Sequence, residues 1–303
     1  MDLYKKYQNS EILEIFKSLL KSSVIIYKEL KSGAGLEFLN TKNETNDEQI
    51  GLDVFADECF QENAEKDTNI KYILSEERPD FVQYGNGRYS LTLDPLDGSK
   101  SAIVGIPSGA IFGVFNEANS ISDFCGKNIV SGGFFVFGIN LEVYFSINNE
   151  AYKGVFNDKN SSWDFVSLDG LPKYKMFAIN ASNKTKWDKS LQEFYNDLMN
   201  VEDENGKTYN TRWYASMVSE VKRLIIQGGL FAYPNDSRKG YSNGHLRLVY
   251  EAIPMAYLLK SINGSSSNGK KSILDVDVLE LHQKTPVFLG DKELIQRIED
   301  LNK

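Results

Sequence analysis

Three places in the 303-residue chain hold carboxylates whose spacing could do chemistry together. Leu74-Ser75-Glu76-Glu77 sits at the end of a strand-like run. Asp94-Pro95-Leu96-Asp97-Gly98-Ser99 directly follows another, Tyr89–Leu93. Glu251 lies inside a helical pattern opened by Leu246-Arg247-Leu248. In the second place, two aspartates flank a proline that stiffens the turn, Gly98 permits close backbone approach, and Ser99 supplies a hydroxyl near a helix start. Oxygen-only ligands on a rigid turn suit Mg²⁺ or Mn²⁺. Backbone amides at Gly98 and Ser99 suit a phosphate. Together they are what metal-assisted phosphoester hydrolysis requires. Taken alone, the same segment fits a tight turn with an aspartate cap, and Glu76-Glu77 fits a solvated strand end. Two carboxylates ~4 Å apart repel by about 1 kcal/mol in water and about 4 kcal/mol at an effective dielectric of 20. Four or five converging would therefore require a divalent cation or large pKa shifts.

The elements that must position these groups follow from periodicity. Apolar residues at helical spacing predict a helix over Ser10–Leu30, with Ser10 as N-cap, and a second over Leu52–Glu65. Strand-like runs follow at Lys71–Leu74, Tyr89–Leu93, Ala110–Phe115, Gly133–Phe137, Glu142–Ile147 and Ala151–Val155, with a hairpin turn at Asn148-Asn149. The second half predicts strands at Lys175–Ile179, Leu230–Tyr233 and Ser272–Val276. Its helices are expected at Lys189–Met199, Met217–Gln227, Leu246–Ile262 and Lys292–Leu301, and Asn263–Gly269 reads as a loop. This alternation fits an α/β layered fold (α+β in some schemes), helices layered on sheets. A break near 165–172 divides it into two packed sub-domains, 1–168 and 169–303.

Composition narrows the function. The net charge of -8 leaves no excess of Lys and Arg for a general nucleic-acid binder. Two cysteines, Cys59 and Cys125, and two histidines, His245 and His282, cannot build a nitrogen- or sulfur-ligated zinc site. No segment approaches ~18 uninterrupted apolar residues. The N-terminus lacks a secretory apolar region, so a cytoplasmic location is the expectation.

The motifs also resemble those of a known family. Leu93-Asp94-Pro95-Leu96-Asp97-Gly98-Ser99 is similar to the signature of the fructose-1,6-bisphosphatase family, class I type, within the lithium-sensitive, Mg²⁺-dependent phosphatase superfamily. Ser75-Glu76-Glu77, Gly51-Leu52-Asp53-Val54-Phe55-Ala56, Ser108-Gly109-Ala110-Ile111-Phe112-Gly113, Arg212-Trp213-Tyr214-Ala215-Ser216-Met217-Val218, Leu246-Arg247-Leu248-Val249-Tyr250-Glu251 and His282-Gln283-Lys284-Thr285-Pro286-Val287 follow in the family's order. The resemblance implies the sugar phosphatase fold. It also implies hydrolysis of the 1-phosphate of a sugar bisphosphate, fructose 1,6-bisphosphate first and sedoheptulose 1,7-bisphosphate as the alternative. An inositol-monophosphatase-like enzyme or an inactive regulatory homologue is more remote.

Carried over position by position, the resemblance implies two or three Mg²⁺ per subunit, with Mn²⁺ as a substitute. Their ligands would be Glu76, Glu77, Asp94, Asp97, Glu251 and the Leu96 carbonyl. Asp53 would pair with Glu77 to orient and deprotonate the attacking water, and Asp47 would complete the site from a loop. Asp97, Gly98 and Ser99 would meet the scissile phosphate. Asn180, Tyr233 and Arg247 would hold the remote phosphate, with Arg212 reaching in from a neighbouring subunit of a dimer or tetramer, and Met217 would touch the sugar. His245 stands where the family has a lysine, and either replaces it at the substrate or caps the following helix. Trp213 and Asn183 replace tyrosines. Asn116 stands at an arginine of the family's AMP site, of which Arg88-Tyr89 remains.

Overall fold

The computed structural model describes residues 2–42, 48–79 and 81–301. Its centre is a seven-stranded sheet whose order follows the sequence: Ile70–Ser75, Tyr89–Asp97, Gly109–Asn116, Ile129–Phe137, Leu141–Ile147, Glu150–Asn157 and Ser162–Ser167. The first pair is parallel and every later pair antiparallel. Asn148 and Asn149 make the tight hairpin turn with φ of 51° and 64°, which asparagine tolerates better than most residues. The central strands are buried on both faces, which is why they read as apolar runs rather than as an alternation.

Each face has its own cover. Leu93, Phe112, Phe135 and Phe145 face the helices Glu11–Ser32 and Gly51–Ala64, with Phe16 lying 4.1 Å from the Phe145 ring. Their strand neighbours Ile111, Phe134, Val136 and Tyr144 face the other way, against Met217–Gln227 and Ile253–Ser261. One core thus joins residues from both halves of the chain. A second sheet, in the order Asn210–Thr211, Met176–Ile179, Leu230–Tyr233, Val287–Gly290, Ser265–Ser267, packs beside it.

Most predicted elements are found to within a few residues, and three differ. The Leu246–Ile262 helix begins only at Ile253. Leu246–Arg247 pair with Lys284–Thr285, and Leu248–Ala252 form a wide π-type turn. Pro254 explains this, because it has no N–H to give to an α-helical ladder reaching back to Tyr250. Ser272–Val276 holds a 3₁₀ turn, Ile273–Asp275, and the strand expected there is instead Ser265–Ser267, inside the segment read as a loop. Ser162–Ser167 is an additional edge strand, too polar to stand out by pattern.

A pair of glycines sets how closely the second half approaches the first. Gly113 and Gly132 are directly opposite across two strands. A Cβ on Gly113 would lie 3.1 Å from Pro254 Cγ, and one on Gly132 would lie 2.8 Å from the Pro254 oxygen. Their missing side chains let the turn bearing Glu251 settle onto the strand bearing Asp94. Gly132→Ala should therefore destabilise the protein by about 1–3 kcal/mol through overpacking, read as a lower urea midpoint with an unchanged slope.

Candidate active site

The carboxylates come together because the strand that holds two of them is irregular. Residues three apart on a flat strand face opposite ways. Between Asp94 and Asp97 the register against Gly109–Asn116 shifts, at Pro95, which has no N–H for the ladder. Asp94 Oδ1 then accepts the Leu96 N–H at 3.1 Å. Glu251 enters from the π-type turn, where its Oε2 accepts the Arg247 N–H at 2.5 Å. One ligand oxygen from each of Asp94, Asp97 and Glu251 lies within 4.8 Å of the other two.

Glu76 and Glu77 come from the end of the neighbouring parallel strand. The Glu76 N–H donates to the Leu93 carbonyl at 2.9 Å, so the strand ends where the expectation put it. Glu76 Oε1 is 3.3 Å from Arg247 Nε, with Arg247 almost fully buried. The turn is pinned by a group the sequence reading missed. Asp57 accepts the Ser75 hydroxyl at 2.5 Å and pairs with Arg78 Nε at 2.5 Å. Its signal was its position four residues after Asp53, on the same helix face.

Asp53 sits in the first turn of Gly51–Ala64, where its Oδ2 accepts the Ile50 N–H at 2.7 Å. Burial, with the Glu77 charge adding to it, pushes its carboxyl up to about 7, against the Ile50 amide, the Ser99 hydroxyl and Lys100. Burial likewise raises Asp97 to about 6, against the Val218 and Met217 amides and the Ser216 hydroxyl. Asp94 and Glu251 are pushed well up by burial and then by the neighbouring carboxylates, Glu76 first. Asp97 Oδ2 is held by Val218 N–H at 2.9 Å and Ser216 Oγ at 3.2 Å. Gly98 has φ of +77°, and a Cβ there would lie 2.9 Å from Ser216 Cβ, so only glycine fits beside that turn. Ser99 begins the short helix Ser99–Ile103, as expected.

The donor set fits a hard divalent cation. It offers oxygens only, is buried at Asp94 and Glu251, and holds carboxylates whose mutual repulsion a cation would remove.

Most of the remaining predicted residues lie on the second sheet and its connections. Asn180 and Tyr233 stand at the ends of two adjacent parallel strands, Met176–Ile179 and Leu230–Tyr233. Asn180 Oδ1 accepts the Ser182 N–H at 3.3 Å. His245 does not cap a helix, because the helical turn begins three residues later. It is clamped between the rings of Tyr233 and Tyr241, 4.3 Å from each, with Nε2 3.1 Å from Asp236. Burial lowers its pKa, with the Asp236 carboxylate opposing, so the ring favours the neutral form. Trp213 stacks on Phe231 and meets Tyr233 edge-on at 5.5 Å. Met217 is buried at the start of its helix. Arg212 is exposed beyond the edge strand, its guanidinium on the Thr211 carbonyl at 2.9 Å. Arg88 Nε donates to Asn116 at 2.6 Å. Asp47 lies outside the described residues.

The raised carboxyls have a consequence for the metal-free protein. Asp53 titrates at about 7 folded against an ordinary 3.8. The folded state therefore binds the extra proton, and its stabilisation is full below the ordinary value and lost as pH rises through about 7. In a chelator, the melting temperature of the wild type should fall from pH 6 to pH 8 more steeply than that of Asp53→Asn. Mg²⁺ at pH 8 should restore it. Parallel pH profiles for the two proteins would contradict the assignment.

Comparison with known proteins agrees with the geometry. A family model described as "Fructose-1-6-bisphosphatase, N-terminal domain" matches residues 4–166, and one described as "Fructose-1-6-bisphosphatase, C-terminal domain" matches 171–303. The chain is 33% identical to "Fructose-1,6-bisphosphatase class 1" of Neisseria meningitidis serogroup B, covering 97% of this chain and 96% of that protein. It is 35% identical to the protein of that name from Rhodobacter capsulatus, over 84% and 79% of the two chains. The fold matches the holo form of Leishmania major fructose-1,6-bisphosphatase with a TM-score of 0.91 at 24% identity, over 99% of this chain and 97% of that one. Matched along nearly its whole length, the chain belongs to the fructose-1,6-bisphosphatase family, phosphatases that hydrolyse an ester of a sugar bisphosphate.

Proposed function

We propose that this protein hydrolyses the 1-phosphate of fructose 1,6-bisphosphate, yielding fructose 6-phosphate, in a reaction that depends on Mg²⁺. The observation that supports this most is the cluster of buried Asp94 and Glu251 with half-buried Asp97, lying next to the Gly98-Ser99 turn. The names of the relatives supply the sugar. Glu76, Glu77, Asp94, Asp97, Glu251 and the Leu96 carbonyl hold two or three Mg²⁺, or Mn²⁺ in its place. Bound there, the cations would offset the carboxylate charge and supply neutralisation of phosphoryl oxygens.

The chain's own groups do the rest. The Gly98 and Ser99 amides hold the scissile phosphate at a helix start. Asp53, a buried carboxylate in the first turn of its helix, takes a proton from the attacking water. Glu77 orients the water with it, and Asp47 completes the site. Asn180, Tyr233 and Arg247 bind the remote phosphate, and Met217 and His245 border the sugar. Arg212, unengaged with the cluster on its own exposed edge, serves the site of a neighbouring copy in a homo-oligomer. On this reading residues 1–168 form the metal-binding sub-domain and 169–303 the sugar-phosphate sub-domain. Sedoheptulose 1,7-bisphosphate is the second reading. His245, clamped and favouring the neutral form, gives that wall of the sugar pocket no fixed cation.

Exhaustive chelation should abolish turnover, and Asp97→Ala and Glu76→Ala should do the same while circular dichroism stays native. Steady-state kinetics on the two sugar bisphosphates and on a sugar monophosphate then rank the substrates. Equal efficiency on the monophosphate would overturn the bisphosphatase reading.

Arg212→Ala should raise KM by roughly 10- to 100-fold, the loss of one charge-assisted hydrogen bond of about 1.5–3 kcal/mol. kcat should change much less. A monomer with unaltered KM would show that Arg212 has no part in binding.

A further inference from the structure

Inside the Met217–Gln227 helix lies an ion pair that the carboxylate cluster does not include. Glu220 is fully buried and Arg223 is 8% exposed. Arg223 donates to Glu220 Oε2 through Nη2 at 2.8 Å and Nε at 3.2 Å. Arg223 Nη1 is buried with no partner among the described residues. Such a pair is a poor stabiliser, because the desolvation of both charges and of that orphaned N–H offsets the attraction. Its other carboxylate oxygen points to a different role. Glu220 Oε1 accepts the backbone N–H of Tyr214 at 2.5 Å.

The backbone held there is the turn that reaches the cluster. Ala215 has φ of +59°, a left-handed conformation that a non-glycine residue keeps only when its surroundings impose it. The Ala215 carbonyl accepts the Ser101 hydroxyl at 3.2 Å. Immediately after it, Ser216 Oγ and the Val218 N–H donate to Asp97 Oδ2, and Ser216 Cβ fills the space beside Gly98. The helix is fixed independently. Ser219 Oγ donates to the Pro107 carbonyl at 2.8 Å, and Lys222 Nζ pairs with the buried Glu142 at 2.9 Å. Glu220 therefore ties the start of the turn to a helix that cannot shift, and the end of the turn fixes one oxygen of Asp97.

We propose that Glu220 is a positioning residue for the reaction. Its bond to the Tyr214 N–H holds the left-handed turn at Ala215. That turn aims the Ser216 hydroxyl at Asp97 Oδ2, beside the Val218 amide that the helix itself presents, and leaves the other Asp97 oxygen for a cation. The inference rests on reading Asp97 as a metal ligand.

The test separates the hydrogen bond from the ion pair. Removing Glu220 alone would strand the Arg223 charge in the interior, so both variants carry Arg223→Met. Glu220→Gln/Arg223→Met keeps an acceptor for the Tyr214 N–H, and Glu220→Leu/Arg223→Met does not. Mn²⁺ affinity is measured by calorimetric titration of the full chain, and kcat and KM by steady-state kinetics with Mg²⁺. The Gln variant should bind Mn²⁺ as the wild type does. The Leu variant should bind about tenfold more weakly, as when a group supporting a ligand is lost, with lower kcat and KM within about twofold. Equal Mn²⁺ affinity in both variants, whether native or weakened, would overturn the proposal, because the Tyr214 bond would then not be the agent. Asp97→Asn with native Mn²⁺ affinity would instead show that Asp97 is not a ligand, a failure of the metal assignment itself.

Discussion

The structure is organised around a repulsion. Asp94, Asp97 and Glu251 bring oxygens within 4.8 Å, two of the three side chains being buried, with Glu76 beside them. Burial and like charge both raise their pKa values, and neither favours folding near neutrality. The rest of the chain must hold these groups where they would not stay unaided. Arg247 meets this need from within, its guanidinium against Glu76 and its backbone N–H on Glu251. A divalent cation meets it from outside, and the oxygen-only donor set suits one.

Each carboxylate is held by a different structural device. Asp94 and Asp97 share a side of their strand because Pro95 interrupts the ladder and the register slips. Glu76 and Glu77 reach in because their strand stops at Ser75, where Asp57 and Arg78 lock the turn. Glu251 projects from a π-type turn forced by Pro254, and that turn approaches closely because Gly113 and Gly132 have no side chains. Such irregularities are places where local preference yields to the demands of a site.

The two halves of the chain are consequently not independent. The seven-stranded sheet is built before residue 170, yet one of its faces is covered by helices from after residue 215. The cluster spans the same junction, with Glu251 supplied by the second half. At the end of the Leu230–Tyr233 strand, Trp213, Tyr233, His245 and Tyr241 form a continuous run of rings. A histidine inside such a stack, tied to Asp236, is fixed in place.

The sequence by itself determined the chemistry and most of the elements. Two aspartates around Pro95 and just before Gly98 offer oxygen donors, and the segment reads equally as a capped turn until Glu251 joins them. Strongly periodic segments such as Met217–Gln227 and Leu230–Tyr233 appear at the bounds their pattern predicted. What periodicity could not give is whatever depends on a distant partner. Leu246-Arg247 looked helical until Lys284-Thr285 paired with it, and Ser265–Ser267 looked like a loop until Val287–Gly290 did. His245 could replace a cation or cap a helix on sequence alone, and only the start of the helical turn at Leu248 decided against the cap. Asp57 gave only its place four residues after Asp53, and Glu220 no signal beyond being acidic in a helix, since the groups they accept from lie in other segments. Local sequence sets the type of each group, and the contacts between segments set its charge state and direction, because burial and pairing are properties of the assembled chain.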